Sequence, residues 1–114
     1  MIKAFISVPM KGKEKEEIEK TIAEMKRRAT YEIGPDVEFI NTMVQEEPPY
    51  KDGNQAIWYL GKALEILSQC RVLVYLKGSE VYNGCFIEKE AAKRYGLLLL
   101  EIELLFWLFI WLFW

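Results

Sequence analysis

The residues best suited to chemistry lie between positions 82 and 88, which read YNGCFIE. Glu88 supplies a carboxylate, while Tyr82, Asn83 and Gly84 supply an aromatic face, an amide and a closely approachable backbone. A carboxylate can act as a nucleophile or as a general acid or base. The chain contains no histidine, which excludes imidazole-dependent catalytic devices and the common histidine-bearing zinc sites. Acid–base or nucleophilic chemistry therefore falls to carboxylates, tyrosines, lysines or thiols.

The position of Glu88 in a helix predicts its charge state. A buried strand at Val72 to Leu76 is followed by a polar loop and then by a helix, whose sheet-facing side is marked by Ile87, Ala91 and Tyr95. We expect Asn83 to cap this helix and Glu88 to fall in its first turn, where unpaired N–H groups and the helix dipole stabilise negative charge. The sequence thus predicts an ionised carboxylate at neutral pH. The alternative is that Glu88 only favours the helix start.

A second group of polar residues follows the first predicted strand, Lys3 to Val8. The carboxyl ends of parallel strands meet at one edge of a sheet, so we expect the following loop to lie beside Glu88. Ser7 offers a hydroxyl near the end of the strand, and Lys11 and Gly12 offer backbone N–H groups and an ammonium group, which together suit an anionic or polyhydroxylated ligand. The candidate binding residues of this stretch are Ser7, Pro9, Met10, Lys11 and Gly12. The loop is neither a Walker loop nor a dinucleotide-binding fingerprint, which leaves an ordinary tight turn as the alternative.

The order of the predicted elements is typical of an α/β protein. Strands are predicted near residues 3–8, 37–40, 72–76 and 97–100, with helices at 14–30 and 55–69 and after residue 84. The buried side of the second helix is predicted at Ile57, Leu60, Leu64 and Leu67. This alternation predicts a parallel sheet with helices on both faces. The longest connection, residues 41–54, is polar and is expected to be a functional lid or a mobile segment.

Length and composition limit the classes of function. A chain of 114 residues forms one domain, and 15 basic against 17 acidic residues give a net charge of −2, which disfavours nucleic-acid binding. The two cysteines, Cys70 and Cys85, match no metal-binding spacing and suit buried thiols in a reducing compartment. Strand-like sequence begins directly after Met1, so no signal peptide is indicated. We therefore expect a cytoplasmic protein with no metal and no cofactor.

The end of the chain differs from the rest. Residues Leu104 to Trp114 are eleven consecutive apolar residues, fewer than the roughly 20 that a membrane-spanning helix needs. We therefore expect no membrane span, and we divide the chain into a domain at residues 1–102 and a tail at residues 103–114. Two interpretations of the tail stay open, an oligomerising segment buried against its own sheet or a second subunit, and a sequence that is not native.

Four stretches of the sequence together resemble the nucleoside 2-deoxyribosyltransferase superfamily, and in particular its small bacterial and phage members. The stretches are SVPMKG at 7–12, ALEILSQC at 63–70, VLVYL at 72–76 and NGCFIEKEAAKRYG at 83–96. The resemblance covers residues 1 to about 102. Its most specific feature is a glutamate followed eight residues later by a glycine, here Glu88 and Gly96.

The resemblance implies a fold and an activity. Members have a flavodoxin-like or Rossmann-like parallel sheet, here expected with four to five strands, and they assemble as dimers or higher oligomers. They cleave the N-glycosidic bond of deoxynucleosides or of their monophosphates. The nucleophilic glutamate of the superfamily corresponds to Glu88, and its substrate-binding first loop corresponds to Ser7 to Gly12. In its monophosphate hydrolases that loop also binds phosphate, which would suit Lys11.

One position departs from the superfamily. Before the third strand, members usually have an aspartate that helps to bind or protonate the base, and this chain has Arg71. A guanidinium cannot donate a proton at neutral pH but can bind a phosphate or carboxylate, so Arg71 is expected in the cleft. Tyr82 and Asp52 are the remaining candidates for protonating a leaving base. Three hypotheses follow: an N-glycosidase or deoxyribosyltransferase, a binding module that holds a nucleotide without cleaving it, and a structural protein that assembles through its tail.

Overall fold

The computed structural model describes residues 1–40 and 44–104 and contains one four-stranded parallel sheet. The strand order is β2-β1-β3-β4, with β1 at Ile2–Ser7, β2 at Val37–Ile40, β3 at Val72–Leu76 and β4 at Leu98–Ile102. The helices are α1 at Lys15–Ile33, α2 at Gln55–Leu67 and α3 at Asn83–Arg94, and a 3₁₀ turn at Ser79–Val81 precedes α3. The predicted α/β class is confirmed, and the sheet is consistent with a flavodoxin-like or Rossmann-like fold.

Two apolar clusters hold the helices on opposite faces of the sheet. The α1-side core joins alternate strand residues to Ile18, Met25 and Ala29 of α1. The α2–α3-side core joins the intervening strand residues to the two other helices, and its buried members are Phe5, Ala63, Leu67, Cys70, Leu73, Tyr75 and Ala92. Successive strand side chains point to opposite faces, so β1 and β3 each contribute buried residues to both clusters. This arrangement confirms the prediction of helices on both faces.

Strand β3 lies in the interior of the sheet and sets the register of its neighbours. All five of its residues are buried between β1 and β4. Continuous apolar burial is typical of a parallel strand covered on both faces. In this register Ser7, the last residue of β1, lies beside Tyr75 at the carboxyl edge of the sheet. A slip of one residue would turn Ser7 to the other face.

The buried sides of α2 and α3 differ from the predicted ones. Ile87 and Tyr95 are 38% and 85% exposed, and the buried residues of α3 are Cys85 and Ala92. In α2, Ile57 is 65% exposed, while Ala63 and Leu67 are buried. The prediction was therefore wrong for Ile57, Ile87 and Tyr95. It was confirmed for Leu67, which is buried, while Leu64 and Ala91 are partly buried against the α2–α3-side core.

The folded domain continues slightly past the predicted boundary at residue 102. Leu104 is buried in the α1-side core, and Glu103 lies 3.8 Å from the Lys77 ammonium group. Both interpretations of the tail depend on residues 105–114, which lie outside the described residues. Residues 41–43 of the predicted lid also lie outside them. Within the described ranges, none of the helices is long and apolar enough to cross a membrane.

Candidate functional site

The carboxyl edge of the sheet brings together two polar side chains that are 81 positions apart. The hydroxyl Oγ of Ser7 donates a hydrogen bond of 2.6 Å to Oε1 of Glu88. Ser7 is only 1% exposed, and Glu88 is half-buried on the sheet-facing side of α3. The structure therefore places Ser7 and Glu88 at one site, at the edge where ligands bind in open α/β sheets.

A short structured connection between β3 and α3 sets the position of Glu88. Gly78 has a φ of 86°, a left-handed conformation that glycine adopts without strain, and the 3₁₀ turn follows it. The backbone N–H of Tyr82 donates to the Ser79 carbonyl at 3.0 Å, and the N–H of Phe86 donates to the Tyr82 carbonyl at 2.9 Å. These hydrogen bonds fix the first turn of α3. They thereby fix the direction in which its sixth residue, Glu88, leaves the helix.

The start of α3 differs from the prediction by one residue. Tyr82 is the N-cap residue and makes no side-chain capping hydrogen bond, while Asn83 is already helical. Glu88 consequently lies in the second turn, and the expected place in the first turn was wrong. The stabilising effect of the helix dipole falls off beyond the first turn, so it does not hold Glu88 in its ionised form.

Burial decides the charge of Glu88. It raises the pKa of the carboxyl from 4.5 to about 7, against a smaller opposing effect of the hydrogen bond from Ser7. The expectation of a fully ionised carboxylate at neutral pH was therefore wrong. Near pH 7 both protonation states are well populated, which is the condition under which a carboxyl can serve as base, nucleophile or acid.

The two oxygens of Glu88 have different surroundings. Within the described part of the chain, Ser7 is the one residue that hydrogen-bonds to Glu88, and it does so at Oε1. No side-chain nitrogen or oxygen there is both buried and without a partner. Oε2 therefore reaches solvent. One oxygen is held by the protein, and the other is in contact with solvent.

Cys85 lies one helical turn before Glu88 and faces the same pair. Burial raises the pKa of its thiol to about 11; interaction with Ser7 opposes the rise, and the nearby Glu88 carboxylate adds to it. A thiol with so high a pKa stays protonated at neutral pH and is a poor nucleophile. Cys85 therefore contributes packing beside Glu88, and the carboxyl remains the reactive group of the site.

Lys89, the residue after Glu88, forms an ion pair with Glu80. The Lys89 ammonium group lies 2.6 Å from Oε1 of Glu80 and 4.5 Å from the centre of the Tyr75 ring. The hydrogen bond between them lowers the pKa of Glu80 and raises that of Lys89. The positive charge thus ties the 3₁₀ turn to α3. This leaves burial as the dominant influence on Glu88.

The first loop forms a tight turn. Ser7, like Pro9, is buried, whereas Met10, Lys11 and Gly12 are exposed. The N–H of Lys13 donates to the Met10 carbonyl at 3.1 Å, and Gly12 has a φ of 75°, as the third residue of a type II turn requires. Helix α1 follows with two acidic residues, Glu16 and Glu17, in its first turn. These carboxylates oppose an anion at that helix N-terminus.

Arg71 does not lie at this site. Its N–H donates to the Lys3 carbonyl and its own carbonyl accepts from Leu98, both at 2.9 Å, so it sits at the amino end of β3. Tyr75 is four residues further along, about 13 Å at the usual rise of a strand. The prediction that Arg71 lies in the cleft was wrong, because a residue that precedes a parallel strand lies at the opposite edge from one that follows it.

The other predicted residues are spread around the start of α3. Tyr82 is half-buried and packs against the α1-side core. Asn83 and Gly84 are exposed, and no atom lies within 4 Å of the position that a Cβ would take on Gly84. Asp52 is exposed in the connection before α2. Tyr75 lies beside Ser7 but was not among the predicted site residues. Its position near the carboxyl end of a buried strand, like that of Ser7, could have indicated it.

The fold and the site define a class, an α/β protein with a carboxyl–hydroxyl pair at the carboxyl edge of a parallel sheet. No protein-family model, curated protein or solved structure matches this chain. Among the described residues, no cluster of cysteine, aspartate and glutamate side chains could hold a metal ion.

Proposed function

We propose that this protein cleaves the N-glycosidic bond of a nucleoside or nucleotide, with Glu88 as the nucleophile. One observation carries the proposal: Glu88 is half-buried at the carboxyl edge, with Oε1 held by Ser7 and Oε2 open to solvent. The resemblance of residues 83–96 to the nucleoside 2-deoxyribosyltransferase superfamily supports the same reaction. The product is either the free sugar or the sugar transferred to a second base.

The reaction begins with an ionised Glu88. Its open oxygen attacks C1′ of the sugar, a C1′–O bond forms, the C1′–N bond breaks, and the bonding electron pair leaves with the base. Water or a second base then attacks C1′, breaks the ester and regenerates the carboxylate, with net retention of configuration. The departing base takes up a proton, for which Tyr82 and Asp52 remain the candidate donors.

The exposed residues around Glu88 would bind the rest of the substrate. We assign the sugar to the start of α3, where Asn83 offers an amide and Gly84 leaves the backbone open to close approach. The exposed Met10 and Lys11 of the first loop are assigned to the base or to a 5′-phosphate. No cofactor enters this scheme, since the carboxyl supplies the nucleophile.

A second candidate function is binding without cleavage. The raised pKa of Glu88, about 7, favours it, because a protonated carboxyl donates a hydrogen bond to a base or sugar and does not attack C1′. In this case the protein would hold or sense a nucleotide-like ligand at the same edge.

Release of free base separates the two functions. The folded protein is incubated with a panel of deoxynucleosides and their monophosphates, and free base is measured by chromatography. We expect at least one compound to release free base, and we expect Glu88→Gln to abolish this release. Glu90→Gln is the control and should retain it, because Glu90 lies on the same helix but its carboxylate pairs with Arg94. Release that survives Glu88→Gln contradicts the proposal. No release together with a ligand-dependent rise in melting temperature supports binding instead.

We also propose a cytoplasmic homo-oligomer. Cys70 and Cys85 are both unpaired and buried, which suits a reducing compartment. Several large apolar side chains on α2, α3 and β4 are exposed, and they are Ile57, Tyr59, Phe86, Ile87, Leu98 and Leu99. Exposed apolar surface of this kind is typical of a protein–protein interface. A second copy of the chain is the partner we propose.

A further inference from the structure

We propose that Ser7 is a positioning residue, which holds Oε1 of Glu88 so that Oε2 is the oxygen presented to the ligand. This inference replaces the expectation that Ser7 contacts substrate. Its catalytic consequence rests on the proposed function, whereas its effect on Glu88 does not.

The burial of Ser7 argues against direct contact with a ligand. Only 1% of the residue is exposed, and its hydroxyl already donates to Oε1 at 2.6 Å. A hydroxyl has one proton to donate, so this hydrogen bond uses its donor capacity. A ligand approaching from solvent meets Oε2 of Glu88 and not the hydroxyl of Ser7.

The backbone of Ser7 is a rigid support for this hydrogen bond. β1 lies between β2 and β3, and Ser7 is in register with Tyr75. Glu88, in contrast, has three rotatable side-chain bonds and lies on a helix packed over the sheet. A short hydrogen bond from a central strand therefore restricts the rotamer of the glutamate, and it costs little further entropy because Ser7 is already ordered.

The other titratable groups around Glu88 do not hold its carboxyl group in place. Cys85 of α3 is a protonated thiol, and Lys89 of the same helix is paired with Glu80 of the 3₁₀ turn, above the Tyr75 ring of β3. None of these residues hydrogen-bonds to Glu88 in the described structure. Removing the Ser7 hydroxyl should leave Oε1 without its partner and the carboxyl harder to ionise.

The test compares Ser7→Ala with Thr21→Val, a control that removes another buried hydroxyl. Thr21 is 4% exposed, lies on α1, and its hydroxyl donates to the Glu17 carbonyl. The titration of the Glu88 side-chain carboxyl is followed by carbon NMR in the full-length protein, and kcat and KM are measured on any compound whose base is released. A variant Ser7→Thr keeps a hydroxyl at the position.

We expect Ser7→Ala to move the Glu88 titration midpoint up by about one pH unit and to lower kcat about 10- to 100-fold, with KM little changed. Thr21→Val should change neither, and Ser7→Thr should return the midpoint towards that of the unmodified protein. An unchanged midpoint in Ser7→Ala, or the same shift in Thr21→Val, would overturn the inference. So would a rise in KM alone, which indicates substrate contact. If no compound is cleaved, the proposed function fails while the titration still decides the role of Ser7.

Discussion

Two opposing effects set the pKa of the Glu88 carboxyl group. Burial beside the sheet disfavours its charge and raises its pKa to about 7, while the Ser7 hydroxyl favours the ionised form. A carboxyl that stays on the surface would be ionised at neutral pH but would be strongly hydrated and a weaker nucleophile. The half-buried position at the sheet edge combines a poorly hydrated carboxylate with one oxygen, Oε2, that is not fully buried.

The first prediction concerns stability against pH. The pKa of Glu88 is raised in the folded state, so its contribution to the free energy of unfolding is fully present below pH 4.5 and is lost as the pH rises through about 7. Ionising Glu88 in the folded protein should cost about 3 kcal/mol at pH 8. Glu88→Gln stays neutral and should gain stability over the unmodified protein as the pH rises from 5 to 8.

Urea unfolding of both proteins across this pH range measures the difference. Every other titrating group is shared, so subtraction isolates Glu88. A difference that stays flat, or that favours the unmodified protein at high pH, would contradict the burial of its charge.

Some residue-level features followed from the sequence and others did not. The contact of Ser7 with Glu88 could be predicted, because Ser7 ends one parallel strand and Glu88 follows its neighbour at the same edge of the sheet. The charge of Glu88 could not, since it depends on the turn of α3 in which the residue lies and on how deeply it packs. Arg71 was misplaced because the family pattern does not show at which end of β3 a residue lies.

At the scale of elements, α3 shows why apolar spacing alone misleads. Ile87, Ala91 and Tyr95 repeat every four residues, yet the buried side runs through Cys85, Glu88 and Ala92. On this side the half-buried carboxyl of Glu88 lies between two small buried side chains, Cys85 and Ala92. A polar residue that faces inward weakens the apolar periodicity that is used to find the buried side of a helix.

The second prediction uses two glycines in helices. Gly84 at the start of α3 and Gly61 in α2 both have open space at the Cβ position. Replacing either by alanine should raise stability by about 0.5–1 kcal/mol, because alanine loses less conformational freedom in a helix. If a ligand approaches the backbone at Gly84, Gly84→Ala should also weaken ligand binding, whereas Gly61→Ala should not.

Thermal unfolding gives the change in stability, and the KM of a cleaved nucleoside or the Kd of a bound one gives the change in affinity. Equal affinity in both variants would remove Gly84 from the binding surface.

At the scale of the molecule, the alternation of strands and helices was enough to predict the class of fold. Each strand is a short apolar run, and α1 and α3 carry several charged residues on their outer sides, so the local signals agree. The strand order β2-β1-β3-β4 was not predicted, since pairing between strands depends on contacts distant in sequence. The exposure of Ile57 and Ile87 was not predicted either, because both residues were assigned to the core.

The third prediction concerns assembly. If α2 and α3 form the interface of a homo-oligomer, Phe86→Glu should reduce self-association, because it places a charge on an exposed apolar side chain. Tyr31→Glu is the matched control, since Tyr31 is an exposed aromatic residue on α1, across the sheet. Sedimentation velocity at several protein concentrations measures both variants. A monomeric unmodified protein, or equal loss in the two variants, would contradict this interface.

The central claim is that the carboxyl of Glu88 bonds covalently to the sugar. The most direct test is acid quenching during turnover of a cleaved nucleoside, followed by mass spectrometry of the intact protein and of its peptides. We predict a mass increase equal to one sugar residue, located on the peptide that carries Glu88 and missing in Glu88→Gln. Base release with no adduct, or an adduct on another residue, would contradict the claim.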